Sequence, residues 1–363
     1  MDFNRSLQTV LHFDKPEEIC HFEWGYWPET MRRWKTEGME TENPWDGLNI
    51  TFYHRVPVHT RLFPPFEVQI LSETETLQKI RDERGIIKEV LKGTTAMPKW
   101  IRHPVQTLKD FEELKPQLNP HDGGRFPHDW SAQVQALRHR NSILVMGGTE
   151  ISFFGWHREL IGAENLMLAY YDQPDLIHAI SRHHLYFLQE LYARILQDVV
   201  FDFVFLWEDM AYKSGPLVSP AIVREFMLPY YKELIGFFRE FRDYKFLLDS
   251  DGNIMELIPL FMGVGVDGFL PFEVAAGMDV RRVAEQYPNL IIAGGIDKRE
   301  IAKGKPAIDQ ELEQKLPYLF ARGGYLPSMD HHVPPDISYD DFTYYIERVQ
   351  QLYEKSLCGS GRG

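Results

Sequence analysis

The chain has 363 residues, 44% hydrophobic and 13% aromatic, enough apolar surface to bury a large core and to exclude wholesale disorder. A formal net charge of −14 disfavours a general nucleic-acid binder and gives no electrostatic reason to sit on an anionic membrane. The two cysteines, Cys20 and Cys358, have no CxxC or zinc-finger spacing; a disulfide framework is excluded and a reducing compartment expected.

The N-terminus, "MDFNRSLQTVLHFDKPEE", carries no apolar signal segment, and no apolar run approaches the length of a membrane helix, so a cytoplasmic protein is expected. "EICHFEW" around Cys20 and "GLNITFYHRV" around Thr51 are candidate strands. "FEVQILSETETLQKIRDERGIIKEVL" alternates polar and apolar residues with a turn near Arg84 and Gly85. This reads as an antiparallel meander inserted at about residues 62–95, suited to a lid or to a homodimer surface. From Ser142 onward the pattern becomes regular. "SILVMGG" at Ser142, "FDFVFLWED" at Phe201, "KFLLDSD" at Lys245, "VDGFLPFE" at Val266, "LIIAGGID" at Leu290 and "GGYLPSMD" at Gly323 are each followed by a turn and an amphipathic helix. Apolar residues on both alternations suit strands covered on both faces. "SPAIVREFMLPYYKELIGFF" opens a helix with Ser219 as N-cap and Pro220 at the first helical position, and Asp279 caps "VRRVAEQY". Strand and helix in alternation predict a parallel sheet, and with the two early candidates an α/β (β/α)8 TIM barrel over residues 1–356. The tail at 357–363, ending "CGSGRG", is expected to be disordered.

Polar residues gather where the apolar runs stop: Glu23, Glu208 with Asp209, Asp249 with Asp251, Glu273, Asp297, and Asp330 with His331. The C-terminal strand ends of such a barrel form the face that carries chemistry, so these groups are expected at one mouth. Asp249 and Asp251, two residues apart, share a face, and His331 follows the last strand. Each has a plainer reading. Asp-Ser-Asp-Gly-Asn is also turn chemistry, with Asn253 capping "IMELIPLF"; Glu208 and Asp209 also suit a solvated loop; His331 also suits a satisfied interior histidine, with His332 directed elsewhere. "RHHLYF" at Arg182 reads as helix surface, and Trp24, Trp27, Trp156 and Trp207 read as core packing or as a flat aromatic pocket.

The blocks "GPLVSPAIVREFMLPYYKELI", "LLDSDGNIMELIPLFMGVGVDGFLPFE", "AGGIDKREIAKG" and "GGYLPSMDHHVPPDIS", in that order, resemble the uroporphyrinogen decarboxylase superfamily. The resemblance runs from about Cys20 to Val349 and is strongest from Phe205 to Asp336. That superfamily contains the porphyrin decarboxylases and corrinoid-linked methyltransferases. The decarboxylases' N-terminal arginine-rich motif, which cradles substrate carboxylates, is similar to "FEWGYWPETMRRW" here, but the arginine positions are not filled; Arg32 and Arg33 come later. A substrate with eight carboxylates needs cationic clamps, because losing one partner of a buried pair costs roughly 3–5 kcal/mol. The methyltransferase branch places zinc ligands at two spots, a His-x-Cys pair and a later Cys. These resemble Asp249-Ser250-Asp251 and Asp330-His331-His332 here, with the thiolates replaced by harder ligands. His331 also matches a family histidine.

The resemblance therefore implies a branch nearer the corrinoid-linked methyltransferases. The expected activity moves a methyl group from a small O- or N-methylated donor, such as a methoxylated aromatic, to a corrinoid protein. Asp249, Asp251, His331 and Glu208 are the expected catalytic residues. Glu23, Tyr26, Trp207, Glu273 and Asp297 are expected to bind substrate. Asp249, Asp251 and His331 are the candidate ligands of a divalent metal, zinc or another; the corrinoid belongs to the partner protein. The alternatives are a cofactor-free decarboxylase of porphyrin biosynthesis and a non-catalytic binding module, for which the strand-end groups would be scattered.

Overall fold

Each of the six apolar runs after residue 142 forms a strand of a single parallel sheet in the computed structural model, which describes residues 3–43, 48, 50, 53–94, 97–140 and 142–359. In chain order the strands are β1 (Tyr53–Arg55), β2 (Gln69–Glu73), β3 (Leu77–Arg81), β4 (Ile87–Leu91), β5 (Lys99–Arg102), β6 (Ile143–Gly148), β7 (Phe203–Trp207), β8 (Ala211–Tyr212), β9 (Gly215–Pro216), β10 (Phe246–Asp249), β11 (Gly268–Leu270), β12 (Ile291–Ala293) and β13 (Tyr325–Leu326). The parallel sheet has seven strands in the order β1-β6-β7-β10-β11-β12-β13, a curled TIM-barrel-like arrangement wrapped by helices.

Of the two early candidates, "GLNITFYHRV" supplies β1 at Tyr53–Arg55; Asn49, Thr51 and Phe52 lie outside the described residues. "EICHFEW" forms no ladder of strand length. It runs extended beside the last strand's loop, with a parallel bridge from Tyr26 to Val333. Phe22 and Trp24 nevertheless pack into the barrel interior, so this segment takes the position between β13 and β1.

Side-chain alternation divides the barrel in two. Ile143, Val145, Phe203, Phe205, Leu247, Ile291, Ala293 and Leu326 form the inner cluster with Cys20 and Phe22. Their neighbours Leu144, Met146, Val204, Leu206, Phe246, Leu248 and Ile292 belong to the outer cluster against the helices. This is the period of two expected of strands buried on both faces. The helix Phe3–Leu11 adds Leu7, Val10 and Leu11 to the inner cluster, closing its floor.

The meander is present as β2-β3-β4-β5, antiparallel throughout, and reaches Arg102, beyond the expected boundary near residue 95. Its tight turn follows from Asp82, whose Oδ1 accepts from the backbone N–H groups of Arg84 and Ile86, and from Gly85 at φ +80°. Ser219 and Asp279 cap their helices as expected, Ser219 accepting from Ile222 N and Asp279 from Arg281 N and Arg282 N. The helix opened by Ser219 is broken into Pro220–Phe226 and Leu228–Phe241, because Pro229 has no N–H to continue the ladder. The final helix runs Tyr339–Gly359, so residues 357–359 are helical rather than a disordered tail, and residues 360–363 lie outside the described set. His184 of "RHHLYF" is buried and stacked on Trp156 at 5.0 Å rather than exposed, although its helix is amphipathic as read. No described helix is long and apolar enough to cross a membrane.

Gly268 sits at a close approach within the sheet. A Cβ there would lie 2.4 Å from Leu247 Cδ2 and 2.6 Å from the Ile291 carbonyl oxygen. Gly268→Ala is expected to lower stability by about 1–3 kcal/mol through overpacking. Urea denaturation checks this; an unchanged midpoint would show that the neighbouring strands are free to yield.

Candidate active site

The C-terminal rim is built from strand ends, and the alternation along each strand decides which polar groups face inward. On β7 the inner residues are Phe203, Phe205 and then Trp207; on β10 they are Leu247 and then Asp249. Asp249 and Trp207 are directly opposite in the parallel register, so carboxyl and indole stand side by side at the rim. Asp249 is only half-buried, yet among the described residues its carboxyl has no hydrogen-bond partner. Burial, and after it the charges of Asp251, Asp209 and Glu273, push its pKa well above the usual carboxylate range.

The loop after β10 carries Asp251, whose Oδ2 lies 3.5 Å from His331 Nε2. That pairing raises the His331 pKa against the opposing effect of burial, so the imidazolium form is favoured. Trp27 lies nearly parallel over His331 at 6.2 Å. His332 meets the edge of Trp27 at 5.6 Å and packs beside Gly25, where a Cβ would come within 3.3 Å of its Nε2. Glu273 accepts from Gly252 N at 3.0 Å, which fixes the same loop, and burial followed by the Asp251 charge raises its pKa. Asn253 accepts from Met255 N, so turn chemistry and rim placement coexist in "DSDGN".

Several expected residues are placed elsewhere. Glu208 follows Leu206 on the outer side of β7 and is fully buried. Its Oε1 accepts from Phe153 N at 3.1 Å and from the Tyr231 hydroxyl, and its Oε2 from Gly155 N at 2.7 Å. It anchors the start of the helix Phe154–Ile161 and does not reach the mouth. Glu23 is likewise on the outer side of its segment. Its carboxylate accepts from Tyr345 Oη at 2.7 Å and from Ser328 Oγ and Met329 N, both at 3.1 Å, and lies 2.9 Å from His21 Nε2. This network binds the first segment to the last strand and last helix. Tyr26 turns outward towards Trp34, 6.5 Å away. Asp297 caps the helix Lys298–Ile301 and, although burial opposes it, is held below the usual carboxylate range by Arg299, whose Nε and Nη2 lie 2.9 and 2.7 Å from it. Asp330 is buried and accepts from Val274 N and from Lys298 Nζ, each at 2.9 Å.

Asp209, passed over in favour of its neighbour, stands on the rim side instead. Its φ of +44° is unusual for a non-glycine residue. Arg158 Nη1 donates to its carboxylate at 3.0 Å and to its carbonyl at 2.8 Å while its guanidinium lies 4.7 Å from the Trp207 ring. Burial raises the Asp209 pKa, Arg158 opposes this and Asp251 adds to it. Counting by two from Phe203 and Phe205 selects Trp207 and Asp209 over Glu208, a signal present in the sequence.

The mouth therefore brings together Asp209, Asp249, Asp251, Glu273, Trp207 and His331. As a metal site the set does not fit. Among the described residues no three His, Cys, Asp or Glu side chains are disposed to share an ion, and His331 Nε2 is directed at Asp251 itself. As placed, these groups can hold and move protons.

Because the Asp249 pKa is raised on folding, its contribution to stability is fully present at low pH and is lost as pH rises through the raised value. Asp249→Asn should melt with the parent protein near pH 4 and at a temperature higher by a few degrees near about pH 8. Thermal melts across that range test it; a difference independent of pH would mean that Asp249 is not held protonated.

The sequence model of the family described as "Uroporphyrinogen decarboxylase (URO-D)" matches residues 89–352. No curated protein matches the chain. Among solved structures, a methyltransferase from Methanosarcina mazei superposes with a TM-score of 0.52 at 12% identity, covering 97% of this chain and 99% of that one, a likeness of fold. A uronate isomerase from Bacillus halodurans C-125 reaches a TM-score of only 0.26 at 8% identity, over 70% of this chain and 60% of that one. With more than half of its length matched by the family's sequence model, and with the barrel that the family blocks imply, the chain belongs to the uroporphyrinogen decarboxylase family.

Proposed function

We propose that the protein is a methyltransferase that removes a methyl group from a small methylated donor and passes it to a corrinoid protein. The observation that carries this reading is the carboxyl of Asp249 beside Trp207, without a hydrogen-bond partner among the described residues and with its pKa raised by burial and then by the charges of Asp251, Asp209 and Glu273. The reaction class of the Methanosarcina neighbour supports it, as does membership of a family of enzymes.

A methyl ether is cleaved easily only if the departing oxygen receives a proton. Asp249 is the group suited to give it, since a raised pKa moves a carboxyl towards the range of a competent general acid. The donor's ring or chain would lie against Trp207, whose far neighbour Arg158 is already engaged with Asp209. The Asp251–His331 pair is the local proton reserve, with the imidazolium able to restore the Asp249 proton through the rim. The nucleophile that accepts the methyl group would be the corrinoid of the partner protein. A quaternary ammonium donor leaves as a neutral amine and requires no acid, so the raised pKa of Asp249 favours O-methylated donors over N-methylated ones.

Incubation of the protein with a reduced corrinoid protein and a panel of O- and N-methylated donors tests the proposal. Demethylation of an ether is expected, falling as pH rises through the Asp249 pKa. Asp249→Asn should reduce turnover by roughly 10²–10⁴-fold, the usual range for a lost general acid. Full activity in that variant with an unchanged pH profile would remove Asp249 from the mechanism. Uroporphyrinogen is expected not to be consumed, because its acid groups need cations and those of the rim, Arg158 and His331, are already paired with Asp209 and Asp251. Turnover of that substrate at about 1 per second or faster would establish the decarboxylase reading instead.

A further inference from the structure

A polar concavity lies at the C-terminal ends of β1 and β6, along the same rim as Asp209 and Asp249 and beside β7. It has a volume of about 240 Å³ and is lined by Arg55, Arg61, His59, Thr60 and Glu150 against a wall of Val58, Val145 and Tyr192. Two guanidinium groups line it with one carboxylate, Glu150, and Glu159 stands behind Arg61.

The two arginines are not equivalent. Arg61 donates to Glu150 at 3.2 Å and to Glu159 at 2.8 Å and is engaged on both sides. Among the described residues Arg55 reaches only Glu150, at 3.5 Å, the limit of a hydrogen bond, and is 43% exposed. The imidazole of His59 and the hydroxyl of Thr60 have no hydrogen-bond partner among the described residues. The fold makes room for the Arg55 fork. A Cβ on Gly148 would lie 2.8 Å from Arg55 Nη2 and 3.0 Å from Glu150 Oε2, and Gly148 sits at φ +125°. Under-used donors thus converge above an apolar wall.

We propose that this cavity binds a small monocarboxylate with an apolar body, its carboxylate taken by Arg55 in the planar two-point geometry that guanidinium offers. His59 and Thr60 supply further donors, and Val58, Val145 and Tyr192 receive the ring or chain. At about 240 Å³ the cavity accepts one small ring and excludes a tetrapyrrole. The inference is independent of the reading of the Asp249 mouth, because binding requires no turnover.

Calorimetric titration of the full chain with benzoate tests it, with benzamide as a neutral isostere and inorganic phosphate as an anion without an apolar body. Benzoate should bind, benzamide and phosphate at least roughly tenfold more weakly. Arg55→Ala should weaken benzoate roughly tenfold or more, and Arg55→Lys should restore part of the loss. The proposal fails if benzoate does not bind at millimolar concentration, if benzamide or phosphate binds equally well, or if Arg55→Ala binds benzoate like the parent protein. The benzoate and benzamide comparison uses the unaltered chain, so it decides the matter even if the arginine variants unfold.

Discussion

The alternation of side chains along the barrel strands is the constraint on which the rest of the molecule depends. Each parallel strand is covered on both faces, so a shift of one residue exchanges barrel interior for helix layer. Leu247 and Asp249 are inner, Leu248 is outer; Trp207 is inner, Glu208 outer. Two adjacent acidic residues, Glu208 and Asp209, consequently have unrelated tasks. Glu208 supplies its carboxylate to the backbone N–H groups that open the helix Phe154–Ile161, while Asp209 meets Arg158 beside the rim. The same rule assigns Phe22 and Trp24 to the interior and Glu23 to the seam with Tyr345 and Ser328. A buried carboxylate on the outer side is tolerated because its acceptor sites are filled by donors, which offsets the cost of taking charge out of water.

On the inner side the balance is different. Asp249 lacks a donor, and its nearest charges are other carboxylates. Desolvation and like-charge repulsion act in the same direction, and both raise its pKa. Asp251 pairs with His331 and Asp209 with Arg158. One rim thus contains an acid whose pKa is raised without a cationic partner and two acids matched to cations, a separation of roles that suits proton transfer. The less engaged guanidinium, that of Arg55, lies further along the rim at the β1–β6 junction, where Gly148 leaves space for it.

What the sequence by itself determined was the repeating local pattern. Six apolar runs became β6, β7, β10, β11, β12 and β13, and Ser219 and Asp279 became caps, because burial on both faces and side-chain-to-backbone hydrogen bonds are decided within a few residues. The meander and its Asp82 turn were legible for the same reason, and the family followed from blocks that retain their order. The placement of Asp249, Asp251 and His331 at one rim was also readable, since strand ends of a barrel converge. Tertiary structure alone decided the partners. Nothing local announces that Glu23 meets Tyr345, that Glu208 takes the N–H groups of Phe153 and Gly155, or that Asp330 accepts from Val274. The Arg55 cavity was likewise invisible, because it joins a strand at residue 55 to glycines at 147 and 148 and a helix residue at 192. Whether such a polar side chain is satisfied depends on donors distant in the chain, and only the folded sheet and its helices bring them together.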